Sequence, residues 1–285
     1  MTSTRRVHSI LRSVPTMEGA GVQLKRAFGF HQVPLLDPFL LLDDFHSDNP
    51  EHYMAGFPWH PHRGIETVTY VLAGEVEHGD SLGNAGVIGP GDVQWMTAGS
   101  GLIHQEMPKM AEDKLLQGFQ LWVNLPATSK MMKPRYQEVK ASEIPEVELE
   151  GGVKVKVVAG ELAGVKGPVR DIVLEPEYLD VSIPPNGKFE HLVPEGHKLF
   201  AYTFRGSGFF EPDTDRLVEK ERLVLYDDGG PAHISAGDEG LRFLLISGKP
   251  LGEPVAWGGP IVMNTQEELA LAFEEYRAGT FIKGK

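Results

Sequence analysis

Apolar residues come along this chain in short runs rich in β-branched and aromatic side chains, broken repeatedly by glycine and proline. Glu66-Thr-Val-Thr-Tyr-Val-Leu72, Gly118-Phe-Gln-Leu-Trp-Val-Asn124, Val153-Lys-Val-Lys-Val-Val158, Leu199-Phe-Ala-Tyr-Thr-Phe204 and Leu241-Arg-Phe-Leu-Leu-Ile246 are the clearest. Runs of this length and composition predict β-strands. Gly83-Asn84, Gly89-Pro-Gly-Asp92, Pro185-Asn-Gly187 and Asp228-Gly-Gly230 supply the turns between them. One segment reads as helix. Asn264 and Thr265 cap an acidic first turn, Leu269, Leu271, Ala272, Phe273 and Tyr276 follow, and Gly279 stops it. The expectation is an all-β chain with a single C-terminal helix.

The halves resemble each other. Tyr70-Val-Leu-Ala-Gly74 is answered by Tyr202-Thr-Phe-Arg-Gly206, and Thr97-Ala-Gly99 by Ser235-Ala-Gly237, at nearly equal offsets. A duplicated barrel has this signature. The expected division is an N-terminal barrel over 1–132, a C-terminal barrel over 133–264, and a helix and tail over 265–285. The Lys-, Glu- and Pro-rich stretch from Ala127 to Glu150 reads as the connection, with a short strand near Tyr136–Val139.

Within this pattern two short motifs carry chemistry: His60-Pro-His62 and His104-Gln-Glu106. Positions i and i+2 of a strand share a face, so each motif aims two donors in one direction. Two such pairs facing each other across a barrel would surround one point with three imidazoles and a carboxylate, leaving coordination positions open. Strand parity, carried on without a bulge, puts Glu66, Val68, Tyr70 and Leu72 on the same face as His60 and His62. Glu66 is thus a rival fourth ligand. Glu106 is preferred because it shares a strand with His104, leaving Glu66 as a supporting or substrate-contacting carboxylate. The donor set suits Fe(II), Mn(II), Ni(II), Cu(II) or Zn(II), with iron the first choice. Phe57, Trp59, Trp95 and Met96 flank the motifs and are the expected apolar lining for a planar aromatic substrate. His46, His52 and His78 are expected on the surface, and Arg63 in solvent.

The duplication predicts that the second half binds no metal. Under its anchors His60, His62 and Glu66 map to Leu192, Pro194 and Lys198, and His104 and Glu106 to Arg242 and Leu244. His191, His197 and His233 stand there without a matching spacing.

Composition narrows the picture further. The 285 residues contain no cysteine, which excludes disulfides, iron–sulfur clusters and thiolate metal sites. A net charge of −13, with no basic cluster beyond Arg5-Arg6, argues against direct nucleic-acid binding. There is no signal-like or membrane-spanning apolar stretch, so the expected location is the cytoplasm. Serine-hydrolase elbow, P-loop and dinucleotide fingerprints are missing.

The motifs resemble a known family. His60-Pro-His-Arg-Gly-Ile-Glu66 with Gly74, then Pro90-Gly-Asp92 and His104, is similar to the two cupin motifs. The longer runs Phe57–Val68, Pro90–Gly99, His104-Gln-Glu-Met-Pro108, Leu121-Trp-Val-Asn-Leu-Pro126 and Gly259-Pro-Ile-Val-Met-Asn264 resemble the pirins. The resemblance implies a bicupin, two antiparallel β-barrels with a C-terminal helix. It implies Fe(II) held in the first barrel by His60, His62, His104 and Glu106, and none in the second. For function it implies two alternatives. One is a quercetin 2,3-dioxygenase that opens a flavonol with O2 and releases carbon monoxide, Glu106 or Glu66 taking the substrate proton. The other is a non-enzymatic, redox-sensing regulator acting through a protein partner. A monomer is expected.

Overall fold

The computed structural model describes residues 4–110 and 112–283. The chain is built of antiparallel strands with one α-helix, Gln266–Arg277, close to its C-terminal end. Thr265 and Glu268 cap that helix reciprocally, each side chain accepting the other's backbone N–H.

Two compact units form, and neither is continuous in sequence. One contains residues 15–141 and 251–285, the other residues 1–14 and 142–250. This differs from the contiguous division expected at 1–132, 133–264 and 265–285. The reason is strand pairing and burial. Val7–Arg12 pairs with Arg222–Tyr226 and so joins the later unit. Ile261, Met263, Leu269, Ala272 and Phe281 bury their side chains against Ile103 in the earlier one.

The unit of residues 15–141 and 251–285 has a seven-stranded and a four-stranded sheet. The larger runs, in spatial order, through 135–139, 93–97, 65–73, 116–124, 39–47, 22–28 and 14–18. The smaller runs through 57–62, 102–109, 75–80 and 85–88. Between them lie Val22, Leu24, Phe45, Val71, Val76 and Leu116 at one end, and Leu40, Ile65, Met96 and Leu102 further along. The face that Ile65 and Val71 share with Thr67 and Thr69 is therefore the barrel interior.

The unit of residues 1–14 and 142–250 repeats the topology with fewer, longer strands. Lys198–Phe209 does the work of both 65–73 and 75–80, and Ala232–Gly248 that of both 102–109 and 116–124. Its core is Val155, Val157, Leu179, Val181, Phe189, Phe243 and Leu245. Gly74 and Gly206 stand at the corresponding bends, with φ of 76° and 72°. The second pair of anchors does not correspond. Thr97 ends the strand paired with 65–73, whose counterpart is Arg222–Tyr226. Ser235–Gly237 lies instead in the counterpart of 102–109. The cross-strand pair His60–His104 is thus answered by Glu190–His233, not by Leu192 and Arg242.

No helix among the described residues is long and apolar enough to cross a membrane.

Candidate metal centre

The strand Phe57–His62 lies at the edge of the four-stranded sheet. An edge strand tolerates proline, and Pro58 and Pro61 hold its backbone extended. His60 and His62 project from it, and Leu102–Lys109 brings His104 directly opposite His60. The ring centroids of the three histidines are 4.4 to 5.0 Å apart. One nitrogen from each lies within 4.8 Å of the others.

Hydrogen bonds on the far side of two rings decide what the near side offers. His60 Nδ1 donates to the Pro58 carbonyl at 2.9 Å, and His62 Nδ1 to the Pro260 carbonyl at 3.1 Å. The two Nε2 atoms are left facing each other, 3.0 Å apart. A cation held between them would take a lone pair from each. His104 is buried, yet neither of its ring nitrogens has a hydrogen-bond partner. A buried polar atom without a partner is costly. Burial, and then the neighbouring imidazoles, pushes the pKa of His62 and His104 well below the usual histidine value, so both are neutral donors. Outer carbonyls that orient imidazoles toward one point are the usual support of a metal site. The residues present therefore fit a transition-metal ion.

Glu106 is buried next to this group but is not one of the converging donors. Its carboxylate accepts from Thr69 Oγ1 and Gln120 Nε2, both at 2.9 Å. Gln120 Oε1 in turn accepts from Trp122 Nε1 at 3.0 Å. The register shifts between His104, which faces His60, and Glu106, which faces Phe57. The extra residue lies in the Phe57–His62 strand, while Leu102–Lys109 keeps an unbroken register with 75–80.

Glu66 is elsewhere. The chain leaves one sheet at His62 and enters the other at Ile65 through Gly64, whose φ is 78° and whose absent Cβ would sit 2.0 Å from the Val262 carbonyl oxygen. The crossing breaks the parity on which the expected shared face depended. Thr67 and Thr69 face the interior, while Glu66 turns outward with Trp95 and Thr97. Thr97 Oγ1 donates to Glu66 at 2.7 Å. Burial raises the Glu66 pKa, and Thr97, Trp95 and Arg135 oppose it.

The expected lining divides in the same way. Trp95 pairs with Val68 on the outward face. Met96 packs inside with Ile65 and Leu102, and Phe57 beside Val22 and Phe45. Trp59 is 53% exposed. The aromatic residue beside the histidines is Trp122, whose ring meets His62 edge-on at 5.1 Å. Trp257 lies 5.9 Å from Trp122, and exposed Phe30 lies 5.5 Å from Trp257. The alternation of Gln120 and Trp122 on one strand was a signal for this face, but Trp257 and Pro260 arrive from the far end of the chain.

Two other expectations are overturned. Arg63 is buried, not solvated. Its guanidinium donates to the Ser100 and Phe281 carbonyls and to Glu275, each at 2.8 Å, and lies 4.1 Å over the Phe281 ring. His78 is buried too, with Nε2 2.7 Å from Glu138 and its ring stacked on Tyr136. His46 is exposed as expected.

Comparison with known proteins agrees with this geometry. Residues 21–123 match the model of the pirin family, and residues 178–282 that of the pirin C-terminal cupin domain. A Pseudomonas aeruginosa protein, provisionally designated a quercetin 2,3-dioxygenase, is 42% identical over 283 residues, 98% of this chain and 99% of its own. Human pirin is 40% identical over 282 residues, 97% of this chain and 94% of its own. A crystal structure of quercetin 2,3-dioxygenase from Acinetobacter baumannii superposes with a TM-score of 0.89 at 33% identity, covering 98% of this chain and 99% of that one. With both cupin domains matched and relatives similar along nearly the whole length, the chain belongs to the pirin family.

Proposed function

We propose that this protein is a metal-dependent dioxygenase that opens a flavonol ring with O2. Both oxygen atoms enter the organic product and one ring carbon leaves as carbon monoxide. The observation that carries the reading is the convergence of His60 and His62, Nε2 facing Nε2, beside partnerless His104. Similar proteins that bear the name quercetin 2,3-dioxygenase, the Pseudomonas one provisionally, support the substrate class.

His60, His62 and His104 would hold the ion, with Glu106 as fourth ligand after a change in its hydrogen bonding. Fe(II) suits three imidazoles and a carboxylate, as do Mn(II), Ni(II), Cu(II) and Zn(II). An ion held there would supply Lewis acidity toward the flavonol hydroxyl. Glu106 would accept the hydroxyl proton, and whichever of Thr69 and Gln120 it keeps as donor would orient its carboxylate. The space beside Glu106, about 20 Å3, is too small for a flavonol. The substrate therefore meets the site from the side of partly exposed His60, with Trp122 offering a flat apolar contact.

A second reading is a redox-sensing regulator that acts through a protein partner. It draws support from the ties between the histidine strand and the C-terminal segment, through Pro260 to His62 and through Glu275 and Phe281 to Arg63.

Oxygen uptake with quercetin, on protein of known metal content reloaded anaerobically with Fe(II), tests the enzyme. Metal-dependent uptake with carbon monoxide release is expected. Full iron occupancy without turnover would overturn it and leave the regulator.

A further inference from the structure

The second barrel has a mouth of its own. An open cavity of about 870 Å3 lies beside the strand Lys188–His191, the counterpart of the strand that carries His60 and His62. That volume is in the range of small-molecule sites, roughly 300–1,000 Å3. His191 and Glu177 line it, and Ser247 stands directly behind, all three buried. His191 Nε2 donates to the Glu177 carboxylate at 3.2 Å, Ser247 Oγ donates to the same carboxylate, and His197 Nδ1 is 3.3 Å from Ser247 Oγ. Burial works against a charge on Glu177, but His191 and Ser247 outweigh it and hold the pKa below the usual glutamate value. The floor of the cavity is a carboxylate held by His191 and Ser247.

The rim repeats the sign. Glu161, Asp171, Glu175 and Glu190 face Lys166 and Arg170, and Lys166 is already 3.7 Å from Glu161. An anion would meet net repulsion on entry. A metal ion fits poorly, because His197 reaches Glu177 only through Ser247, so the donors do not converge as the three N-terminal imidazoles do. The remaining wall is apolar: Leu162, Val169, Ile172 and Leu192, the last 70% exposed. A carboxylate floor, an acidic rim and an apolar wall select one chemistry. We infer that this mouth binds a small organic cation, an ammonium or amidinium head on an apolar body, independently of the metal centre.

Benzamidine is a suitable probe, with benzoate as its anionic counterpart. Calorimetric titration of the full-length protein is expected to show one benzamidine per chain and no benzoate binding. Glu177→Gln, which keeps the shape but removes the charge, should weaken benzamidine roughly tenfold or more. Glu190→Gln, on the open rim, should weaken it about two- to threefold and serves if Glu177→Gln does not fold. His60→Ala should leave the titration unchanged. The inference is overturned by absence of benzamidine binding at millimolar concentration, or by benzoate binding as well as benzamidine. It is equally overturned if His60→Ala abolishes the signal, or if neither glutamate variant weakens it.

Discussion

His60 and His62 present their Nε2 atoms to each other at 3.0 Å, while each Nδ1 is committed to a backbone carbonyl. Side chains two apart on a strand are meant to be parallel neighbours; these are turned inward until their Nε2 atoms face each other. His104 completes the group from the opposite strand. The arrangement suits a cation held among the three rings.

Metal binding should therefore depend steeply on these rings. Loss of an orienting outer partner typically weakens a site about 10- to 100-fold. His104→Ala removes a donor outright and should weaken binding by at least the upper end of that range. Titration of the apo-protein with Fe(II) under anaerobic conditions, read by elemental analysis after desalting, checks this. Near-normal occupancy in His104→Ala would rule out the assigned ligand set.

The metal-free protein should lose stability as the pH falls. His62 and His104 have folded pKa values well below the ordinary value near 6.5. Above about pH 6.5 they are neutral whether folded or unfolded and contribute no pH dependence. Below it the unfolded chain takes up protons that the folded chain refuses, so folding weakens. Two such groups give a limiting slope of about 2.7 kcal/mol per pH unit. Urea midpoints of apo wild type and apo His104→Gln at pH 7.5, 6.0 and 5.0 show the effect, since the variant removes one ring and eases the repulsion on His62. Parallel pH profiles would contradict it.

Thr69→Val removes one of the two donors to buried Glu106. A carboxylate oxygen left without its partner costs about 1–3 kcal/mol. Denaturant unfolding should register that loss.

Arg63→Met should free the C-terminal helix. The substitution keeps the apolar stem but removes three hydrogen bonds, one of them the ion pair with Glu275. A loss of about 3 kcal/mol is expected in urea unfolding. Amide exchange across Gln266–Arg277 should accelerate more than in the strand 65–73. Equal acceleration everywhere would mean that Arg63 does not act as a local tether.

Gly74→Ala and Gly206→Ala test the two equivalent bends. Both residues have φ in the left-handed region, and an added Cβ would approach the Leu115 carbonyl oxygen to 2.7 Å and that of Gly240 to 2.0 Å. Each should cost about 1–3 kcal/mol, Gly206→Ala the more. Thermal melts of the two variants make the comparison.

The sequence by itself determined the all-β class, the C-terminal helix, the two-barrel plan and the three histidines that converge as candidate metal donors. These features rest on local rules: alternation along a strand, a capping pair such as Thr265 and Glu268, and the spacing of His60, His62 and His104. Only the tertiary structure decided which face each side chain takes once the chain changes sheets. Gly64 breaks the parity between His62 and Glu66, so Glu66 and Trp95 turn away while Thr69 and Trp122 turn in. Long-range packing also brings Pro260 to His62, buries Arg63 under Phe281, and joins Glu177 to His191 across the second barrel. No local pattern encodes those meetings, because each is set by how distant strands register and by where a buried charge finds its partner.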